Sequence, residues 1–163
     1  MNNYEAIGRS KFLANLIKEN DYKVIAEIGV AKGNNARGIL RDVRVDKFYL
    51  VDKNIYPETA DLKKYPEVIQ IKGFSVEVAK TFDIKLDLVF IDGDHNYKSV
   101  APDIDAWLPK VRKGGIIAGH DYDMPDVKRA VKERFKEYDV QLESLGKAAW
   151  HPKYFTRVWW RYV

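Results

Sequence analysis

Val24-Ile25-Ala26-Glu27-Ile28-Gly29-Val30-Ala31-Lys32-Gly33-Asn34-Asn35 is the stretch whose reading decides the fold. Val24 to Val30 is an apolar run interrupted by a single acid. A strand apolar on both of its alternating faces is buried on both sides, as parallel strands are when helices cover them. Gly29 permits a tight turn at the strand end, and Gly33 lets a ligand approach the backbone closely. Asn34 is placed to cap a helix running from Asn35 to Arg44. The first amides of that helix lack intrahelical acceptors, so they are available to a polar or anionic ligand group.

Strands and helices alternate outward from this corner. Upstream, residues 4 to 20 put Tyr4, Ile7, Phe12, Leu13, Leu16 and Ile17 on one broad helical face, ended by Asn20-Asp21. Downstream, Lys47 to Asp52 reads as a second buried strand ending in an acid. Asp52 stands 19 residues after Gly33, the spacing at which a nucleotide-binding βαβ unit sets a carboxylate against ribose hydroxyls. Pro57 to Tyr65 is a short helix, and Val68 to Phe74 a third strand. Phe74 and Ser75 at its end are candidate contacts to a nucleotide base, and equally a core phenylalanine followed by a loop serine. Ser75 also suits the N-cap of a helix burying Val78, Ala79 and Phe82. Leu86 to Asp92 is the fourth strand, and Asp92-Gly93-Asp94-His95-Asn96-Tyr97 after it is the densest polar cluster of the chain. Val100, Ala101, Ile104, Trp107 and Leu108 keep helical spacing, with Pro102 marking where the regular helix begins. Gly114-Gly115 turns into a fifth strand, Ile116 to Asp121. Val127, Ala130, Val131, Phe135 and Tyr138 make one face of the next helix, its charges lying opposite. Val140 to Leu145 and Tyr154 to Val163 are strands joined by the short loop Gly146 to Lys153, too short for a helical crossover, so they run antiparallel.

The pattern specifies an α/β fold: a Rossmann-like doubly wound sheet of five parallel strands with a C-terminal antiparallel hairpin, seven strands in all, with helices on both faces. Its 163 residues make one domain, residues 1–163. No apolar run reaches the ~20 residues that span a bilayer. The start Met1-Asn2-Asn3-Tyr4-Glu5 lacks the basic-then-apolar order of a signal peptide, and the expected location is cytoplasmic. There are no cysteines, so disulfide and thiolate chemistry are excluded. The net charge of +4 is scattered rather than blocked, and a nucleic-acid partner is not indicated.

In a doubly wound sheet, ligands bind at the carboxyl ends of the strands. Glu27, Asp52, Ser75, Asp92 to His95, and His120-Asp121 all fall there. Two phosphate-binding readings of the first corner do not match. A P-loop needs Gly-Lys-Ser/Thr, and Gly33 is followed by Asn34-Asn35; a dinucleotide fingerprint needs a glycine where Ala31 stands. What is present, Glu27-x-Gly29-x-x-x-Gly33, suits a cofactor with a cationic amino-acid tail, because a carboxylate repels pyrophosphate.

That stretch resembles the first motif of class I S-adenosylmethionine-dependent methyltransferases. The likeness sharpens in Asp87-Leu88-Val89-Phe90-Ile91-Asp92-Gly93-Asp94-His95-Asn96-Tyr97, Trp107-Leu108-Pro109 and Gly114-Gly115-Ile116-Ile117-Ala118-Gly119-His120-Asp121-Tyr122. These are similar to the small group related to macrolide-sugar and cephamycin-pathway O-methyltransferases (family 24-like), over roughly residues 22 to 138. The resemblance implies S-adenosylmethionine bound by Glu27, Gly29, Gly33, Asp52, Phe74, Ser75 and Asp92. It implies a catalytic set of His95 as base with Asp92 and His120, and a divalent metal at Asp92 and Asp121. His120 stands where metal-binding relatives often carry an acid, which suits zinc, manganese or iron better than magnesium, or leaves His120 as a second acid/base or substrate contact. The expected acceptor is an oxygen of a small polyhydroxylated or sugar-like molecule. Lys147, Trp150 and His151 are candidate contacts to it. Tyr154, Phe155, Trp159, Trp160 and Tyr162 are expected core residues, some of them candidate contacts in a homo-oligomer. Two other readings stand beside this one: a module that holds S-adenosylmethionine or a nucleotide without turnover, and an NAD-dependent oxidoreductase, which the missing glycine disfavours.

Overall fold

The computed structural model describes residues 8–142 and 157–163. The strands are β1 (Val24–Ile28), β2 (Lys47–Asp52), β3 (Val68–Lys72), β4 (Leu86–Ile91), β5 (Val111–Gly119), β6 (Asp139–Leu142) and β7 (Arg157–Tyr162). They form one sheet in the order β3-β2-β1-β4-β5-β7-β6. The first five are mutually parallel, and β7 runs antiparallel to both β5 and β6. The strand order reverses between β1 and β4, so the crevice beyond their carboxyl ends is the topological switch point where such sheets take ligands.

Helices α1 (Arg9–Glu19) and α2 (Asn34–Asp42) cover one face, packing Phe12, Leu13, Leu16, Ile39 and Leu40 against Ile25, Phe48, Leu88 and Phe90. Helices α3 (Ser75–Thr81), α4 (Tyr97–Trp107) and α5 (Pro125–Arg134) cover the other, over Ala26, Val51, Val89 and Ile117. Two 3₁₀ segments, Pro57–Lys64 and Leu108–Lys110, complete the connections. On the second face Tyr49, Phe82 and Trp107 meet edge-on, with ring centroids 5.0 and 5.3 Å apart, each contact adding about 0.5–1.5 kcal/mol beyond area burial. Gly119 exists for Trp159: a Cβ there would lie 2.5 Å from the indole carbons, so the antiparallel β7 is seated by the absence of a side chain on β5.

Several local expectations are corrected. The residue before α2 is Gly33 at φ 76°, helix α2 begins at Asn34, and no side chain caps it. Arg37 ties this end instead, its Nη1 donating to the Lys32 carbonyl at 2.7 Å. The capping position before α3 is Phe74, and Ser75 is the first helical residue. Helix α4 starts at Tyr97, well before Pro102, because Asn96 caps it by accepting the Ser99 amide at 3.1 Å. Pro102, lacking an N–H, leaves the Lys98 carbonyl without its helical donor. Gly114-Gly115 lies inside β5 rather than before it, at a register shift against β4. A Cβ at Gly115 would meet the Asp87 carbonyl at 2.7 Å, and Gly114 takes φ 77°, so one glycine serves strand contact and the other the irregular backbone of the register shift. Of the tail aromatics, Trp159 is core, Trp160 is half-buried and Tyr162 is exposed, while Tyr154 and Phe155, with Tyr4 and Ile7, lie outside the described residues. Among the described residues no helix is long and apolar enough to cross a membrane.

Candidate active site

The side-chain period of two along a strand decides which polar residues share a face. Phe48, Leu50 and Asp52 on β2, Ile25 and Glu27 on β1, Leu88 and Phe90 on β4 with Asp92 just past its end, and Ile116 and Ala118 on β5 with His120 just past its end fall in step. Their apolar members all belong to the core under α1 and α2. The polar residue at each strand tip therefore continues an apolar row, and four neighbouring tips deliver Asp52, Glu27, Asp92 and His120 to one edge.

A cavity of about 730 Å³ opens across the ends of β1, β2, β3 and β4, within the size range of small-molecule cofactor sites. Gly29, Asp52, Phe74, Ser75 and Asp92, five of the expected cofactor residues, line it. Glu27 and Gly33 do not. The space beyond the Gly33 Cα is filled by Leu62 Cδ1, 2.8 Å from where a Cβ would stand, so this glycine serves the packing of the 3₁₀ segment and not the approach of a ligand. Nor are the turn amides open to an anion. Asp52 Oδ2 accepts the Val30 and Ala31 amides at 2.8 and 2.9 Å, and its Oδ1 accepts Asn54 N at 2.9 Å. The acidic and basic residues on the wall are five carboxyl groups, Asp52, Glu77, Asp92, Asp94 and Asp103, against two lysines, Lys53 and Lys98. Such a wall favours a cationic ligand and disfavours a pyrophosphate.

Glu27 sits behind the cavity, 1% exposed, and its Oε2 has no hydrogen-bond partner among the described residues. Burial pushes its carboxyl up to about 8, helped by the nearby Asp92 charge and opposed by Arg9 and Asn35. The folded protein thus keeps a proton that the unfolded chain releases above about 4.5, so this group's contribution weakens folding as pH rises from about 4.5 to about 8. Glu27→Gln, which needs no proton, is expected to raise the melting temperature of the ligand-free protein relative to the parent. The difference should grow between pH 5 and pH 8, to about 1–3 kcal/mol. Thermal melts at several pH values check this, and a constant difference would refute the buried-acid assignment.

A second polar cluster adjoins the cavity and shares Asp92 with it. His120 Nδ1 lies 3.2 Å from Asp92 Oδ1 and 3.2 Å from Asp121 Oδ1. His95 Nδ1 lies 3.2 Å from Asp121 Oδ2, and its side chain is 51% exposed, so the ring is reachable from solvent. Asp121 adopts φ 54°, a left-handed conformation that turns its carboxylate between the two imidazoles. Burial would raise its pKa, but His120 and, more weakly, His95 and Arg9 outweigh it and hold the carboxyl below the usual range. Asp92, His120 and Asp121 each offer an atom within 4.8 Å of the others, a mixed nitrogen and oxygen set that fits a divalent transition ion better than magnesium.

Two residues of the site were not foreseen. Arg9, in the first turn of α1, donates from Nη1 to Asp92 Oδ2 at 2.7 Å and neutralises it. Asp103, within α4, is a buried acid on the cavity wall. Its sequence position carried a signal, since three residues after Val100 and four before Trp107 puts an acid within the apolar stripe. Lys147, Trp150 and His151 lie outside the described residues.

Comparison with known proteins agrees with this geometry. Residues 26–122 match the family model described as a methyltransferase domain. A mimivirus protein, the uncharacterized R132 of Acanthamoeba polyphaga mimivirus, is 27% identical over 124 residues, which is 68% of this chain and 56% of that one. The chain thus spans little more than half the length of that curated relative. Among solved structures, the O-methyltransferase from Bacillus cereus in complex with SAH superposes with a TM-score of 0.70 at 14% identity, covering 95% of this chain and 80% of that one. The N-methyltransferase NodS from Bradyrhizobium japonicum gives 0.69 at 13%, covering 93% and 92%. Spermidine synthase from Thermotoga maritima gives 0.68 at 17%, covering 94% and 57%. These structures differ in the group and acceptor their names specify, so the shared fold does not choose an acceptor. By the family match, the chain belongs to the methyltransferase-domain family, the class I S-adenosylmethionine-dependent group that its sequence resembles.

Proposed function

We propose that the protein transfers a methyl group from S-adenosylmethionine to an oxygen of a small polyhydroxylated or sugar-like acceptor. The observation that carries this reading is the cavity wall itself, where five carboxylates face two lysines at the switch point of the sheet. Asp52, oriented by three backbone amides, takes the ribose hydroxyls. The methionine ammonium is directed toward the acid-rich wall, Asp92 among its carboxylates. S-adenosylmethionine supplies a methyl group on a cationic sulfur, already activated for displacement.

The chain's own residues then have two tasks. The walls hold the acceptor oxygen in line with the methyl carbon, and alignment of this kind can contribute ~7–11 kcal/mol. His95 removes the acceptor proton. With Nδ1–H directed at Asp121, its Nε2 lone pair faces outward as the base. The oxygen–carbon bond forms as the carbon–sulfur bond breaks, the sulfur keeps the electron pair, and His95 holds the proton until solvent takes it. Asp121 stabilises the resulting imidazolium. Asp92, His120 and Asp121 would hold a divalent cation, whose chemistry is to acidify and orient an acceptor hydroxyl.

His95→Ala is expected to leave S-adenosylhomocysteine affinity within about twofold. It should lower methyl transfer about 100-fold, the smaller end of the range for a lost general base. A labelled-methyl transfer screen against sugars and polyols, followed by paired binding and turnover measurements, checks it. Full turnover by the variant would remove His95 from the mechanism, and binding without transfer to any acceptor in the parent would favour a non-catalytic module.

A further inference from the structure

Arg9 is the cation of the site that methyl transfer does not use. Its helix is closely seated: a Cβ on Gly38 of α2 would collide with Ser10 Oγ, and Lys11 Nζ pairs with Asp42 Oδ2 at 3.4 Å. The first turn of α1 closes with Phe12 N donating to Gly8 O at 2.9 Å, so the backbone that carries Arg9 is held against α2. From there Arg9 Nη1 donates to Asp92 Oδ2 at 2.7 Å, with the guanidinium 6.0 Å from the centroid of the Phe90 ring. Its side chain is 23% exposed and does not line the large cavity.

Two acids meet where Arg9 arrives. Asp92 Oδ1 and Asp121 Oδ1 each lie 3.2 Å from His120 Nδ1, so one imidazole nitrogen separates two partly buried carboxylates. Water screens such a pair weakly, and ionised acids this close repel each other. Among the described residues, the lysine or arginine ion-paired to either acid is Arg9. Its charge reaches further, opposing the burial that raises Glu27 and helping to hold Asp121 low. It is tied by one hydrogen bond to Asp92, and not by the bidentate fork that makes an arginine–carboxylate pair hardest to displace. A divalent ion held by Asp92, His120 and Asp121 meets a carboxylate that the guanidinium has already neutralised, and the two cations repel in a poorly screened setting.

We propose that Arg9 is the resident cation of this cluster: it holds Asp92 and Asp121 together without a metal, and a divalent ion binds there in competition with it. The inference rests on the reading of Asp92, His120 and Asp121 as a cation site and is independent of the acceptor. Arg9 touches no reacting atom; it is a positioning residue that acts through Asp92. The consequence is a threshold. The cluster keeps its shape when metal is scarce, and it takes an ion only at concentrations that outweigh the guanidinium.

Calorimetric titration of the chelator-treated full chain with Mn²⁺, and thermal melts in EDTA and in Mn²⁺, test the proposal. Arg9→Met keeps the apolar stem without the charge. It is expected to bind Mn²⁺ about 10–100-fold more tightly than the parent, the effect of removing a close repelling charge. In EDTA it should melt below the parent, and Mn²⁺ should raise its melting temperature more than the parent's. Arg9→Gln carries the same expectations and serves if the methionine variant does not fold. Arg9→Lys retains the charge and should bind Mn²⁺ more weakly than the methionine variant. A gain of less than about tenfold on losing the charge overturns the proposal. So does weaker binding, which is what an arginine that only orients Asp92 for the ion gives. A melting temperature in EDTA at or above the parent's, or a lysine variant that binds as tightly as the methionine variant, overturns it as well. If the parent and both neutral variants bind no Mn²⁺, the cation reading of the cluster falls and the proposal with it; binding by the parent without a gain in the variants overturns the proposal alone.

Discussion

Gly29→Ala is expected to cost about 4 kcal/mol and to lower the melting temperature by about 8–16 °C. The new Cβ would lie 2.4 Å from both the Asp92 carbonyl oxygen and the Gly93 Cα. Both obstacles are backbone, and neither can rotate away. The segments are also pinned. Gly29 N donates to Val51 O at 2.8 Å, and Asp92 N donates to Ile28 O at 2.7 Å, so β1 cannot move from β4 without losing ladder bonds on two sides. The φ of 86° adds strain that an alanine resists. Gly73→Ala is the control. The nearest atom to its new Cβ is the Val78 Cγ2 tip at 2.6 Å, which turns aside by a rotamer change, for a cost of roughly 1 kcal/mol. Equal destabilisation of the two variants by denaturant titration would contradict the close approach at the switch point.

Asp52→Ala should reduce affinity for S-adenosylhomocysteine by about 10²–10⁴-fold. Two ribose hydroxyls donating to one carboxylate are worth about 1.5–3 kcal/mol each. The same substitution releases the turn. Ala31 sits at φ 46°, a conformation held in part by the hydrogen bond its amide donates to Asp52 Oδ2. A loss of about 1–2 kcal/mol in stability is expected with the loss of binding. Asp52→Asn retains one oxygen acceptor and should fall between the parent and alanine in affinity. An alanine variant that binds as the parent does would take the ribose away from this acid.

The strand tips were legible because a period of two, counted along each apolar run, assigns the terminal acid to a face without further information. Asp52, Asp92 and His120 could be placed together from β2, β4 and β5 read separately. The shared edge followed from the parallel connections, which put every carboxyl end on one side, while the order of the strands came from the structure. What was not legible depended on contacts between elements. Arg9 reaches Asp92 because the chain reverses between Glu19 and Val24, which brings the first turn of α1 back over the carboxyl edge. Ser75 resembled a cap because a serine before an apolar stripe usually is one, but the indole of Trp107, 32 positions away, claims its hydroxyl. Pro102 looked like a helix start, yet the Asn96 cap outweighs one missing amide. Gly33 followed the motif spacing expected of a ligand contact, while Leu62, from a segment that sequence reads only weakly, occupies its open side.

The account's central claim is that a cationic adenosyl cofactor occupies the crevice between β1, β2 and β4. Calorimetry of the intact chain with S-adenosylhomocysteine and, separately, with NADH tests it most directly. The prediction is saturable binding of the adenosyl compound at one site per chain and no heat from NADH. Saturable NADH binding with none of S-adenosylhomocysteine would contradict it.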